Sequence, residues 1–378
     1  MPRHPEVSSA VSAMSAGVFS KVAHRISAIE GERYPLHVGD SWKEPLAGAR
    51  MEDLSVQAHP GMHRYTLPVG LPRLVGAIAE RRGVDRGRVL VSAGATCGLG
   101  AVASTVLNPG DEVLLLCPFW PLIRGIIHLH HGVAVEVGFY DQVQTAEDVA
   151  AVLDAHRTER TTALYINSPN NPSGRVLPAD VMGAVAEYCR AHDLWIWSDE
   201  VYEDYAYARP HTPVADLAPE RTFSAFSFSK AYAMAGNRCG YLVGPDRALM
   251  TTVRRASTHH YFCAPQASQL SAIHVLKHGD GWLAEARAQY QTAGNAAADA
   301  LGLPRPEGGT FLFMDVAEHL DERGLHGFLL DCIDRGLILA PGSSCGQAYD
   351  TSIRVCFTSA PPDVVARGVA VLADLLGR

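Results

Sequence analysis

Between residues 70 and 245, short apolar runs alternate with segments whose apolar residues recur at helical spacing. That alternation confines the chain to a mostly parallel sheet covered by helices on both faces. The runs at 88–91, 112–116, 133–137, 162–166, 194–197 and 222–226 read as strands, because each is short, apolar and bounded by turn formers. Helices are expected at 71–82, 96–107 and 178–191, the second stopped by Asn108-Pro109-Gly110. Residues 240–244 follow so closely on the preceding strand that an antiparallel addition is expected. The flanks differ: an arm carries an amphipathic helix near 17–30, and the last 90 or so residues mix helices with strands at 308–313 and 353–357. The expectation is an α/β protein in three layers. A large domain at 41–280 holds a mostly parallel seven-stranded sheet, a smaller α+β domain occupies 281–378, and residues 1–40 form the arm and part of the small domain.

Charge and composition narrow the function. The chain has 32 Lys and Arg against 40 Asp and Glu, a net charge of −8, and no long basic run, which argues against a nucleic-acid partner. No stretch approaches the roughly 20 uninterrupted apolar residues that cross a bilayer, so no membrane partner is expected. The eight cysteines are scattered without a CxxC pair and read as reduced thiols. The first residues lack the apolar core of a secretion signal, which makes the cytoplasm the expected compartment. Neither His128, His130 and His131 nor the pair His259-His260 has the spacing of a ligand set, so no metal is expected.

In an open parallel sheet, ligands lie beyond the carboxyl ends of the strands, and the chemistry-bearing residues of this chain gather there. Lys230, in Ser227-Phe228-Ser229-Lys230, directly follows a buried strand and is followed by Arg238. A half-buried lysine loses hydration, which frees its amine to attack a carbonyl; the other reading is a loop lysine that snorkels into solvent. Ala95 and Thr96 sit where a strand turns into a helix, which suits either an anion or a simple helix cap. Asp199, at the end of an apolar strand, needs a cation or a protonated ring nitrogen unless it only caps a loop. Its neighbour Glu200 is assigned a structural part. Asn171 lies in an asparagine-rich loop after another strand, and Cys117-Pro118-Phe119-Trp120 offers a flat ring to a planar ligand or to the core. Arg354, on a late strand, has the fork geometry that clamps a carboxylate.

Taken in order, the Asn171-Pro172-Ser173-Gly174, Ser198-Asp199-Glu200-Val201-Tyr202 and Ser227-Phe228-Ser229-Lys230 segments, with Asn237-Arg238, resemble the class I/II, aspartate-aminotransferase-like family of pyridoxal 5′-phosphate-dependent aminotransferases, fold type I. The resemblance covers nearly the whole chain. It implies that Lys230 carries the cofactor as a Schiff base and shuttles the proton at the substrate Cα. Asp199 would keep the pyridine nitrogen protonated, and Asn171 and Tyr202 would bond the ring oxygen. Trp120 would stack on the ring, and Ala95, Thr96, Ser227, Ser229 and Arg238 would hold the phosphate. Arg354 would bind the α-carboxylate of an amino acid or 2-oxo acid, with Gly39 and Asn171 lining the same pocket. Tyr65 would reach the phosphate from the second subunit of a homodimer. The family implies amino-group transfer by a ping-pong mechanism; a lyase, cyclase or oxidase outcome on the same cofactor, and a non-catalytic sensor, are the alternatives. Where the family often has Gly-Glu-Pro, this chain has Gly39-Asp40-Ser41-Trp42-Lys43, so Trp42 and Lys43 are expected either to reshape the substrate mouth or to form a plain loop. His259 to Phe262 is expected either to face the site or to pack a dimer.

Overall fold

The computed structural model describes residues 6–12, 14, 19 and 22–378. After a two-residue arm strand β1 (Tyr34–Pro35) come the strands of the main sheet: β2 (Val89–Ser92), β3 (Glu112–Leu116), β4 (Val133–Val137), β5 (Thr161–Asn167), β6 (Trp195–Asp199), β7 (Thr222–Ser227) and β8 (Gly240–Val243). Their spatial order is β2-β8-β7-β6-β5-β3-β4, and only β8 runs antiparallel to its neighbours. The central strands read as unbroken apolar runs because each of their faces meets a helical layer. Leu114, Leu164, Ile166 and Ile196 enter one core, with Val181, Val185 and Cys189 of the helix Ala179–Ala191. Val113, Leu115, Ala163, Tyr165 and Trp197 enter the other, with Leu99 and Val102 of the helix Gly94–Val106 and Ile123 and Ile127 of Leu122–Leu129. Alternate residues of one strand thus serve opposite cores, as the two-residue period requires. At the sheet edge, β4 is only partly buried and carries Glu136, paired with Arg124 at 2.8 Å.

The last third of the chain builds its own core. Strands β9 (Phe311–Asp315), β10 (Leu337–Ile338), β11 (Ala340–Pro341) and β12 (Ser352–Cys356) follow, with β11, β12 and β9 forming an antiparallel sheet. That sheet packs on the helices Asp280–Ala300, Gly324–Asp334 and Pro362–Leu375 through Tyr290, Phe328, Val355, Phe357 and Leu372. The arm joins this core from the other end of the sequence: β1 pairs in parallel with β10, and Leu36 is fully buried there.

Strand expectations hold to within a residue or two in the main sheet. The late strands start at Phe311 rather than 308, because the Gly308 and Gly309 amides are spent on the Gly174 and Tyr205 carbonyls, and at Ser352 rather than 353. The arm helix expected near 17–30 lies partly outside the described residues; within them it is the single turn and a half Ala23–Ser27, with no buried side chain to extend it.

Candidate active site

One cavity of about 360 Å³ opens at the carboxyl ends of the main-sheet strands, and the small sheet closes its far wall. Its lining takes Ala95 and Thr96 from the turn after β2, Trp120 after β3, Asn171 after β5, Asp199 and Tyr202 from β6 and its exit, and Ser227, Ser229, Lys230 and Arg238 from the exit of β7. Gly39 and Arg354 complete it from the arm and β12. Every one of the expected site residues is brought together here except Tyr65, which is 86% exposed and meets the Phe262 ring at 5.0 Å.

The phosphate side of the cavity is built from backbone as much as from side chains. Gly94 starts the helix Gly94–Val106 with φ +81, and a Cβ there would lie 2.5 Å from Arg238 Nη2. A Cβ on Gly240 would press on the Ala95 amide at 2.9 Å. Small residues therefore leave the helix N-terminus open beside a guanidinium and the hydroxyls of Thr96, Ser227 and Ser229. Ser227 also caps the next turn, accepting from the Ser229 amide at 3.0 Å. Such a donor set suits a dianion.

The opposite end carries the groups with unmet charge. Asp199 is 3% exposed, and burial pushes its carboxyl up to about 6, although the Tyr165 hydroxyl donating to Oδ2 at 2.7 Å pulls it back. Its charge has no side-chain cation bonded to it, so a protonated ring nitrogen is a fitting partner. Lys230 donates to the Gly39 carbonyl, and burial lowers its ammonium below the usual lysine range. Asn171 donates through Nδ2 to the Tyr202 hydroxyl at 3.5 Å, and its Oδ1 accepts from Arg354 Nη1 at 2.9 Å. Arg354 also donates to the His37 carbonyl at 2.9 Å and lies over the Phe311 ring at 4.4 Å, while its Nε has no partner. Anion cradle, aromatic wall, buried carboxylate and amine thus fit pyridoxal 5′-phosphate, whose ring, aldehyde and phosphate need these donors at opposite ends.

Residues 36–372 match the family described as aminotransferase class I and II. The chain belongs to that family. An arginine–pyruvate transaminase of Pseudomonas aeruginosa is 34% identical over 370 residues, 91% of each chain. The aspartate/prephenate aminotransferase of Thermus thermophilus is 33% identical over 275 residues, covering 68% of this chain and 70% of that one. A solved single mutant of Thermus thermophilus aspartate aminotransferase superposes with a TM-score of 0.88 at 26% identity, over 98% of this chain and 100% of that one. The protein is a pyridoxal-phosphate-dependent aminotransferase of fold type I, an enzyme of amino-acid and 2-oxo-acid chemistry.

Several expectations resolve within the aminotransferase site. Phe119 is fully buried and belongs to the core, whereas Trp120 lines the cavity. Glu200 points away, accepting from Ser198 and Ser224 at 3.0 Å and from His211 Nε2 at 2.7 Å. Trp42 and Lys43 do not reach the mouth: Trp42 packs on Tyr290 and Lys43 pairs with Glu285 and Gln289, all on the helix Asp280–Ala300. The stretch 259–262 also stays out of the cavity lining, with His260 stacked on His130 and Phe262 against Tyr65. Sequence reasoning missed Phe19, His37 and Asn167, which also line the cavity. Asn167 ties the loop down by donating to the Asp199 carbonyl at 2.8 Å and accepting from the Asn171 amide at 2.7 Å. Its signal was available as the first asparagine after a strand end; an arm phenylalanine and histidine carry no comparable signal.

Proposed function

We propose that the enzyme moves an amino group from an L-amino acid to a 2-oxo acid in two half-reactions of ping-pong order, with Lys230, Asp199 and Tyr202 as its catalytic residues. The cofactor, when bound, supplies an electron sink for the bond broken at the substrate Cα. Lys230 would hold it and would carry the proton at the substrate Cα; burial, which disfavours its ammonium, favours the free amine this needs. Asp199 pairs with the ring nitrogen. Asn171 and Tyr202 would bond the ring oxygen, Trp120 would cover the ring face, and Ala95, Thr96, Ser227, Ser229 and Arg238 would bind the phosphate. Arg354 grips the substrate α-carboxylate, with Asn171 fixing its guanidinium and Gly39 forming the adjacent wall.

The observation that carries this reading is the convergence of three groups of restricted solvation, Lys230, Asp199 and Arg354, on one cavity. A homodimer completes it, with Tyr65 crossing to the partner's phosphate; a tyrosine 86% exposed on its own chain supports that role. We place the domain limits at 1–40, 41–280 and 281–378, in keeping with the separate core of the last third, and the enzyme in the cytoplasm, in keeping with eight free cysteines. Among the described residues no helix is long and apolar enough to cross a membrane. Borohydride reduction of the holoenzyme followed by peptide mapping tests the assignment: the cofactor mass is expected on the Lys230 peptide, and a label elsewhere overturns it.

A further inference from the structure

Tyr165 is out of place in its strand. It stands between Leu164 and Ile166 on β5, fully enclosed at 1% exposure, and its ring sits in the apolar cluster of Leu115, Trp197 and Phe223. A buried phenol without an acceptor is destabilising, so its hydroxyl needs a partner. The register supplies one. Tyr165 pairs with Trp197 and Asn167 with Asp199, so Tyr165 and Asp199 lie on one face of adjacent strands, one diagonal step apart. The hydroxyl donates to Asp199 Oδ2 at 2.7 Å, and the other carboxylate oxygen accepts only a long 3.4 Å bond from the Val201 amide.

We propose that Tyr165 is a positioning residue that fixes the orientation of the Asp199 carboxylate and favours its charged form, so that phenol and carboxylate act on the cofactor ring nitrogen as one unit. The proposal rests on the assignment of Asp199 to that nitrogen. Occupying Oδ2 leaves Oδ1 for the ring and fixes rotation about the Cβ–Cγ bond. A hydrogen bond donated to the ionised form also opposes the effect of burial. The other charged or titratable groups facing the pair are Glu200 and Tyr202 beyond β6, Lys230 beyond β7 and Tyr140 of the short helix Phe139–Gln142. Of these, Lys230 favours the Asp199 charge and Glu200 opposes it, while the hydroxyls of Tyr140 and Tyr202 bond Asn167 and Asn171 rather than the carboxylate.

The test is a double-mutant cycle read by pyridoxal 5′-phosphate affinity of the full chain stripped of cofactor. Tyr165→Phe keeps the ring and removes the hydroxyl. It is expected to weaken binding about tenfold, the loss of one hydrogen bond to a charged group, and to move the acidic fall-off of binding to higher pH. In an Asp199→Asn background the same change is expected to alter binding less than twofold. Unchanged affinity and pH profile in Tyr165→Phe, or an equal loss in both backgrounds, would overturn the proposal, the latter because a purely structural phenol acts regardless of the carboxylate. Should Asp199→Asn alone bind like the wild type, the assignment of Asp199 fails instead, and the proposal with it. If Tyr165→Phe folds poorly, 3-fluorotyrosine at 165, a stronger donor of nearly equal size, is expected to move the acidic fall-off to lower pH; movement the other way counts against the phenol.

Discussion

Arg354 Nη1 donates to Asn171 Oδ1 at 2.9 Å, joining residues 183 positions apart and placing a strand of the small sheet against a loop of the large one. With the His37 carbonyl on Nη2 and the Phe311 ring beneath, the guanidinium is held flat while Nε stays unpartnered. Arg354→Gln is expected to raise KM for the amino donor about 100-fold, the value of a two-point charged contact, while leaving the bound cofactor's spectrum unchanged. Arg354→Lys should recover only part of that, since an ammonium cannot reproduce the fork. Stopped-flow measurement of the first half-reaction separates the two variants.

Asp199 gives a pH prediction with a definite sign. In the cofactor-free chain burial holds its carboxyl near 6, above the usual carboxylate range. The folded state therefore binds the proton more tightly than the unfolded one, and stability falls as pH rises through that interval. Asp199→Asn removes the penalty. Stripped of cofactor, the variant is expected to be more stable than the wild type at pH 8, by on the order of 3 kcal/mol, and so to melt higher, with little advantage near pH 4. Thermal melts at the two pH values check it, and the same variant should lose transamination.

His211 runs the other way. Burial, the largest single influence, would lower its imidazole, but the hydrogen bond to Glu200 together with the charges of Glu200 and Glu203 outweighs it, and the net shift is upward. A raised histidine stabilises the fold fully below its unfolded value and loses that contribution as pH rises through the folded one. His211→Gln should therefore destabilise most below pH 6 and progressively less toward pH 9, with a maximum loss of about 3 kcal/mol because Glu200 is left buried without its cation. Urea titrations across that range measure it.

Gly94→Ala tests the anion cradle. A left-handed φ of +81 and a Cβ placed 2.5 Å from Arg238 Nη2 both oppose the methyl group. The expected result is a loss of about 1–3 kcal/mol in stability and weaker cofactor binding, whereas Gly183→Ala, on the helix Ala179–Ala191 with open space at its Cβ, should leave binding unaltered. Cofactor titration of the two variants distinguishes a local from a general effect.

The legible parts of the chain were those whose signal is local. Strands 112–116 and 133–137 appear as expected because apolar length and flanking turns define them, and Lys230, Asp199 and Asn171 stand out because each lies at or just beyond the end of a strand. What escaped depends on register or on distant chain. Tyr165 resembles any buried aromatic until β5 and β6 are set side by side, and His37 matters through its carbonyl, which the sequence does not mark. For Trp42 and Lys43 the departure from the family's Gly-Glu-Pro pattern leaves a reshaped mouth and a plain loop both open, and Tyr290, Glu285 and Gln289 of a helix some 240 residues later, which hold them, are not marked near them in the sequence.

The pairing of β1 with β10 has a consequence for how the enzyme comes into being. It seats the segment that presents the His37 and Gly39 carbonyls to Arg354 and Lys230. Residues 34–39 are made before 337–338 and 354 and cannot take their place until those exist, so the lysine and arginine acquire these partners only once the later strands have been made. A nascent chain holding the finished large sheet would already contain Lys230 but not the wall that orients it. Contacts of such sequence separation are slow to form, and reactivity toward substrate should appear after, and separately from, the burial of the main-sheet core during refolding.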